Sequence, residues 1–131
     1  MTGLETSELL SEMGNKVSVV EMADEIAPGA WFQHLDDVLP QLKKYGTDFF
    51  VSSKLIEIKK NGIVIENTKS HQTQEILCDL VVLSIGVKSD NALYEEIKNS
   101  FDTVYNIGDS SKIGRIHDAT ESAYQLVKSI K

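Results

Sequence analysis

The residues near the start of the sequence that are best suited to chemistry are a glycine and a glutamate separated by one helix and one strand. Gly3 precedes a stretch with apolar residues at helical spacing, and residues 17–20 are a short β-branched run that ends at Glu21. A helix N-terminus offers unpaired N–H groups to a pyrophosphate, and an acidic residue about 20 positions after the glycine accepts hydrogen bonds from ribose hydroxyls. The spacing therefore predicts the second half of a dinucleotide-binding βαβ unit, with Gly3 as the last glycine of a G-x-G-x-x-G loop.

Each of these residues also has an ordinary structural explanation. Gly3 alone fits a flexible chain start, and Glu21 alone fits a solvated carboxylate at the end of a strand. Glu5, in the first turn of the helix, complements the helix dipole whether or not a ligand binds. As a ribose ligand, Glu21 would favour NAD over NADP, because its carboxylate would repel a 2′-phosphate.

A second glycine and carboxylate lie next to each other near the end of the sequence. Gly108 and Asp109 follow a predicted strand at residues 104–107, and a last helix is predicted at residues 118–130. Asp109 is suited to hold the hydroxyls of a sugar-like chain, although turn aspartates that cap helices are common. His117 lies at the N-terminus of the last helix, which could direct its partial positive charge at an electron-rich ring. An exposed loop histidine is the alternative.

The other histidines and the single cysteine are not spaced for catalysis or metal binding. His34 and His71 have no partner at such spacing, and Cys78, in a predicted strand, fits a small core residue. The sequence contains no nucleophile elbow and no Walker loop. A single cysteine cannot form an internal disulphide, which fits a reducing compartment, so we expect a cytoplasmic protein.

The composition narrows the classes of partner. With 131 residues, of which 41% are hydrophobic and 25% charged, the chain is long enough for one core. A net charge of −7 argues against a nucleic-acid partner, which needs a concentrated basic face. No apolar run approaches the ~20 residues that cross a bilayer, and the first residues lack the features of a secretion signal. We therefore expect neither a nucleic-acid nor a membrane partner.

The predicted elements that position these residues alternate between helices and strands. Helices are predicted at residues 2–13, 31–45, 92–98 and 118–130, and strands at residues 17–20, 48–52, 54–59, 63–67, 75–78, 80–85 and 104–107. Pro40 should interrupt or divide the second helix. The Asn61-Gly62 pair predicts a hairpin, and residues 80–85 are expected to be a strand buried on both faces. This order is typical of an α/β fold with a small antiparallel insertion.

Three stretches together carry a family resemblance, namely GLETSELLSEMGNKVSVVEM, CDLVVLSIGVKSDNAL and VYNIGDSS with the later HDATESAY. Over essentially its whole length the chain resembles the C-terminal part of the pyridine nucleotide-disulphide oxidoreductases, flavoproteins with two dinucleotide-binding domains. Within that superfamily it is similar to the multidomain NADH:flavin oxidoreductases, the 2,4-dienoyl-CoA reductase and enoate reductase relatives of Old Yellow Enzyme. The resemblance implies a truncated Rossmann-like, FAD/NAD(P)-binding α/β domain that lacks its first strand and carries an antiparallel β-meander insertion.

The resemblance implies an incomplete NAD(H)-binding domain at residues 1–87. In it, Gly3 corresponds to the final glycine of the NAD(H) fingerprint, and Glu5 to the glutamate that lies toward the nicotinamide. Glu21 corresponds to the acidic ligand of the ribose. Ser84 opens the small-x-Gly motif at which the NAD domain returns to the FAD domain.

The resemblance also implies that residues 88–131 are the C-terminal segment of an FAD-binding domain. Gly86 closes the small-x-Gly motif just before it. Gly108 and Asp109 correspond to the glycine-aspartate pair whose carboxylate holds the ribityl chain of FAD, and the helix after His117 corresponds to the one aimed at the isoalloxazine ring.

Several family features are not in the sequence: the first two fingerprint glycines, the N-terminal part of the FAD domain, the flavin-binding barrel and the iron–sulfur cysteines. We therefore expect a fragment of an NADH-dependent flavin oxidoreductase, the part that binds NAD(H) and completes the FAD site in the intact enzyme. Alone it should have little or no redox activity, and it should bind NADH weakly or bind no cofactor at all. The alternative is a non-catalytic α/β module. Such a module would self-associate, as a homo-oligomer or strand-exchanged dimer, or pair with a partner that supplies the missing strand. A small enzyme with a site of its own has the least support.

Overall fold

In the computed structural model, which describes residues 1–130, the chain forms two units, one from Met1 to Ser84 and the other from Ile85 onward. The first contains two helices, a pair of parallel strands and a three-stranded antiparallel sheet. The second contains two helices and a short 3-10 turn among its described residues. The combination of parallel strands, helices and an antiparallel meander confirms the predicted α/β, Rossmann-like class, and no strand precedes the first helix in the described chain.

Helix α1 (Thr2–Glu12) leads through a glycine turn into strand β1 (Ser18–Val20). Gly14 has a φ of +87°, a left-handed conformation that favours glycine, and its N–H donates to the carbonyl of Ser11. The predicted helix stop is thus confirmed. The turn reverses the chain, so that Leu4 near the start of α1 and Val19 in β1 belong to one apolar cluster.

Helix α2 (Phe32–Lys44) continues past Pro40, so the expected break is wrong. A proline inside a helix removes one backbone hydrogen bond and costs about 3 kcal/mol. The buried side of the helix offsets this cost, because Val38 and Leu42, on either side of Pro40, are 1% and 0% exposed. Gly46, with a φ of +76°, ends the helix as predicted.

Strand β2 (Asp48–Phe50) follows α2 and pairs in parallel with β1, with Val19 opposite Phe49. The helices and this strand pair share one core. It is built from Leu4, Val38 and Leu42, with Val19, Ile26, Ala27, Leu35, Leu39 and Phe49 packed against them. Burial of this cluster is the main driving force for folding the first part of the chain.

Strands β3 (Ser53–Lys59), β4 (Gly62–Asn67) and β5 (Thr73–Leu77) form the antiparallel meander in sequence order. The hairpin predicted from Asn61-Gly62 is confirmed, although Lys59 pairs with Gly62 and the turn therefore consists of Lys60 and Asn61. Two β4 side chains form the buried face of the sheet, Ile63 at 8% and Ile65 at 3% exposure.

Two predicted strands are wrong. Residues 80–85 and 104–107 have no regular secondary structure, and Leu80 and Leu83 are 69% and 56% exposed instead of buried. An apolar β-branched run becomes a strand only when a neighbouring strand accepts and donates its backbone hydrogen bonds. Neither stretch pairs with any strand within residues 1–130.

The second unit contains helix α3 (Ala92–Ile97), a 3-10 turn (Gly108–Ser110) and helix α4 (Ile116–Ser129). Helix α4 begins two residues before the predicted start, and the Asp118 carboxylate caps it by accepting the N–H of Arg115 at 2.6 Å. Of its predicted inward face, Ala119, Ala123 and Leu126 are half-buried, whereas Val127 and Ile130 are exposed.

None of the helices in residues 1–130 has both the length and the apolar character needed to cross a bilayer.

The shared core predicts a large difference between two leucine truncations. Leu42→Ala should lower the free energy of unfolding by about 2–5 kcal/mol, because it leaves a cavity at a fully buried position. Leu9→Ala, at a leucine that is 58% exposed, should cost less than about 1 kcal/mol. Guanidinium unfolding followed by the fluorescence of the single tryptophan, Trp31, measures both variants. Equal costs would contradict the described core.

Candidate functional site

Glu21 is held by backbone hydrogen bonds at the carboxyl end of β1. Its N–H donates to the carbonyl of Phe50, and its own carbonyl accepts the N–H of Ser53, both at 2.9 Å. The half-buried side chain accepts the N–H of Ala23 at Oε1, at 3.0 Å, whereas Oε2 has no hydrogen-bond partner among residues 1–130. One oxygen therefore orients the carboxylate, and the other can accept a hydrogen bond from a ligand hydroxyl.

Gly3 lies in close contact with Ser84. A Cβ atom at Gly3 would stand 3.0 Å from the Ser84 Cβ and 3.1 Å from its Oγ, which is tighter than ordinary packing. The contact explains why a residue without a side chain stands in the first turn of α1 and why a small residue stands at position 84. The small-x-Gly motif singled out Ser84 in the sequence, but not its contact with Gly3.

Glu5 lies beside His34, which the sequence left without a partner. The Nε2 atom of His34 is 3.7 Å from Oε1 of Glu5, and both side chains are 50% exposed. His71 pairs similarly with Glu66, at 3.3 Å. Such exposed pairs contribute little to stability. Spacing along one helix could not reveal the first pair, because its members lie on α1 and α2.

No group of three or more His, Cys, Asp or Glu side chains in the described chain is arranged to hold a metal ion. Cys78 is half-buried directly after β5.

The remaining predicted site residues lie in the second unit. Gly86 and Gly108 have φ angles of +83° and +66°, conformations that a larger residue would adopt only with strain. Asp109 is exposed, and its Oδ1 accepts the N–H of Gly114 at 3.2 Å. The other carboxylate oxygen, Oδ2, has no hydrogen-bond partner among residues 1–130.

Gly108 and His117 share the wall of a cavity of about 520 Å³, which Asp109 does not line. The wall also contains the amide of Asn106, the cation of Lys112 and the carboxylate of Glu121. Lys112 could not be predicted from the sequence, because a single lysine in a loop carries no recognisable pattern. The cavity offers hydrogen-bond donors and acceptors beside an exposed imidazole, at the N-terminal turn of α4.

Comparison with known proteins gives one family. Residues 1–123 match the family model described as pyridine nucleotide-disulphide oxidoreductase. The chain is 30% identical over 124 residues to a metal reductase of Desulforamulus reducens, covering 94% of this chain and 18% of the relative. It is 30% identical over 131 residues to an NADH oxidase of Thermoanaerobacter brockii, covering 99% of this chain and 20% of the relative.

A solved structure extends this comparison to the fold. The histamine dehydrogenase from a Rhizobium species aligns with a TM-score of 0.81 at 17% identity, covering 98% of this chain and 20% of that one. At this identity the likeness is one of fold. The chain thus spans about a fifth of the length of the curated relatives that it matches.

The contact between Gly3 and Ser84 predicts an energetic coupling. Alanine is favoured over glycine within a helix by up to about 1 kcal/mol, but in the native sequence the contact with Ser84 should cancel this gain. In a Ser84→Gly background the contact is gone, so Gly3→Ala should stabilise the chain by about 1 kcal/mol. A double-mutant cycle by guanidinium unfolding measures the coupling. An identical effect of Gly3→Ala in both backgrounds would show that the contact carries no energy.

Proposed function

The chain belongs to the pyridine nucleotide-disulphide oxidoreductase family, and from this membership we propose that its first unit binds NAD(H) and that its second completes an FAD site. Membership confirms the predicted family, whose enzymes use FAD and NAD(P). The chain is an FAD/NAD-dependent oxidoreductase domain that corresponds to a small part of larger relatives.

The geometry of Glu21 is the observation that supports the NAD(H) assignment best. A carboxylate at the carboxyl end of parallel strands is where a dinucleotide ribose binds in α/β folds. Oε2 of Glu21 is open to accept a hydroxyl, while Oε1 is fixed by Ala23. Hydrogen bonds to a charged acceptor are about twice as strong as neutral ones. The same charge would repel a 2′-phosphate, which favours NAD(H) over NADP(H).

The other residues proposed for NAD(H) lie on α1. The first turn of the helix, which begins beside Gly3, presents the positive end of the helix dipole to a pyrophosphate. Glu5 is proposed to lie toward the nicotinamide. When bound, the nicotinamide and the flavin supply the hydride chemistry, and the residues of this chain bind and orient them.

The FAD assignment is supported by the second unit. The open Oδ2 of Asp109 can accept hydroxyls of the ribityl chain, because Gly114 holds Oδ1. Gly108, in a left-handed conformation, allows the tight turn that precedes the carboxylate. The N-terminus of α4, with His117 in its first turn, is proposed to lie toward the isoalloxazine ring, where the helix dipole would stabilise negative charge.

We further propose that these 131 residues act as a fragment of an NADH-dependent flavin oxidoreductase, with little or no redox activity alone. The sequence contains one of the three fingerprint glycines, Gly3, and those glycines let the backbone approach the pyrophosphate. Glu21 would then supply ribose contacts without the full set of phosphate contacts.

This proposal predicts weak but specific NADH binding by the chain. In an NMR titration the amide signals of Glu21 and Ala23 should shift with a dissociation constant of about 1 mM or weaker. Glu21→Gln should weaken binding by about fivefold, because it replaces a charged acceptor by a neutral one of the same shape. Glu25→Gln is the matched control, since Glu25 is an exposed carboxylate four positions further on. Micromolar affinity in calorimetry would contradict the weak-binding proposal, and equal effects of the two variants would remove Glu21 from the site.

An interaction module is the second candidate function, and exposed apolar residues favour it. Leu80, Val82 and Leu83 are 69%, 51% and 56% exposed in a stretch that pairs with no strand of the described chain. Exposed apolar residues close together in the sequence are typical of interaction sites, and unpaired β-type segments readily accept a strand. The partner would be a second copy of the chain, in a homo-oligomer or strand-exchanged dimer, or another protein that supplies a strand.

The second candidate predicts association that depends on this stretch. Sedimentation velocity should show oligomers whose fraction rises with protein concentration. Leu83→Lys should shift the distribution toward monomer, because a charge would have to be buried in the contact. Leu9→Lys, at an exposed leucine of α1, should leave it unchanged. A monomer at the highest concentrations would argue against self-association.

A further inference from the structure

An Asn-Gly pair, Asn61 in the turn between β3 and β4 and Gly62 at the start of β4, belongs to neither proposed cofactor site. The pairing of Lys59 with Gly62 makes Lys60 and Asn61 the two turn residues, and Asn61 is exposed. The carbonyl oxygen of Asn61 accepts the N–H of Cys78 at 3.2 Å, at the far end of β5.

We propose that Asn61 is a deamidation site that the folded hairpin protects and that opening of the hairpin exposes. In this reaction the backbone nitrogen of Gly62 attacks Cγ of the Asn61 side chain. The new N–Cγ bond closes a five-membered succinimide, the Cγ–Nδ2 bond breaks, and Nδ2 leaves as ammonia with the proton lost from Gly62. Water then adds to either carbonyl of the ring and opens it to aspartate or isoaspartate. The reaction needs only water, and glycine favours it because no side chain shields the attacking nitrogen.

The hydrogen-bond pattern of the meander accounts for the protection. Along an antiparallel strand, successive residues direct their backbone groups to opposite neighbours. Since Asn61 directs its carbonyl to Cys78, Gly62 directs its backbone groups to β3, where Lys59 is its partner. The attacking nitrogen is therefore held in the ladder, and it can reach the Asn61 side chain only when the hairpin opens locally.

The packing of Gly62 explains why the residue after Asn61 is a glycine. A Cβ at position 62 would clash with the carbonyl oxygen of Ile76 and lie 3.1 Å from the Cα of Leu77. Both are backbone atoms of β5, so a larger residue would displace the strand itself. Any asparagine at position 61 is consequently followed by a glycine.

The same crowding determines what the products do. Isoaspartate carries its side-chain CH2 in the main chain, which lengthens the turn and displaces Gly62 from its place beside Ile76. Aspartate leaves the main chain unchanged and adds one negative charge at an exposed position. Formation of isoaspartate therefore makes a transient opening of the hairpin permanent.

The test compares deamidation rates in the folded and unfolded chain. The chain is incubated in mildly alkaline buffer, with and without guanidinium, and the mass of the peptide that contains Asn61 is followed. We expect the folded chain to react at least about tenfold more slowly, because the reaction follows the population of the open form. Equal rates in the two states would overturn the proposal, as would modification at other asparagines with Asn61 intact.

Substitutions at a buried and at an exposed isoleucine test whether opening of the hairpin limits the rate of deamidation. Ile65 in β4 is 3% exposed, and Ile65→Ala should accelerate deamidation of the folded chain by about tenfold or more. Ile58 in β3 is 51% exposed, and Ile58→Ala should change the rate by less than about twofold. If Ile65→Ala does not fold, Ile65→Val should give an intermediate acceleration. Equal rates in the buried and exposed variants would show that opening of the hairpin does not limit the reaction.

Hydrogen exchange tests whether isoaspartate holds the hairpin open. Exchange at β3 and β4 should be unchanged in Asn61→Asp and faster in the purified isoaspartate form. Unchanged exchange in the isoaspartate form would refute a permanent opening.

Discussion

Two backbone hydrogen bonds at Glu21 join the parallel strands to the antiparallel meander. The N–H of Glu21 donates to the carbonyl of Phe50 and so continues the ladder of β1 and β2 for one residue beyond β1. The carbonyl of Glu21 accepts the N–H of Ser53 and so ties the start of β3 to the same point. The carboxylate proposed to bind the ribose is therefore positioned by backbone hydrogen bonds to the end of β2 and the start of β3. A site built on paired strands keeps its geometry better than one on a free loop, because its backbone cannot shift without breaking the ladder. The cavity beside His117 belongs to a turn and a helix start, and has no such support.

Elements whose signals are local were predictable from the sequence. Helix α1 and its glycine stop, the end of α2 at Gly46 and the β3–β4 hairpin all follow from residue types within a few positions of one another. The errors share one cause, which is dependence on distant contacts. Residues 80–85 have strand composition but no strand beside them, and Pro40 stays helical because the buried side of α2 outweighs a local rule.

In the candidate site, too, local features were predictable from the sequence and contacts between distant residues were not. Glu21 was predictable, since a carboxylate at a strand end about 20 residues after a glycine is a pattern within one stretch. Two contacts were not predictable, because each joins residues that are distant in the sequence: Gly3 with Ser84, and Glu5 with His34. Local patterns thus identify candidate cofactor-binding residues, whereas the neighbours of those residues emerge only from packing. The carbonyl of Asn61, directed at Cys78, is another example.

The contact between Gly3 and Ser84 also has a consequence for modularity. These residues lie at the two ends of the first unit, so that the unit closes on itself and its ends emerge at one point. A unit with adjoining ends can be inserted into a surface loop of a host domain without separating the flanking parts of that host. The host chain would be interrupted in sequence and remain continuous in space. A glycine and a serine, the two smallest side chains available for this purpose apart from alanine, are what allow the ends to come so close.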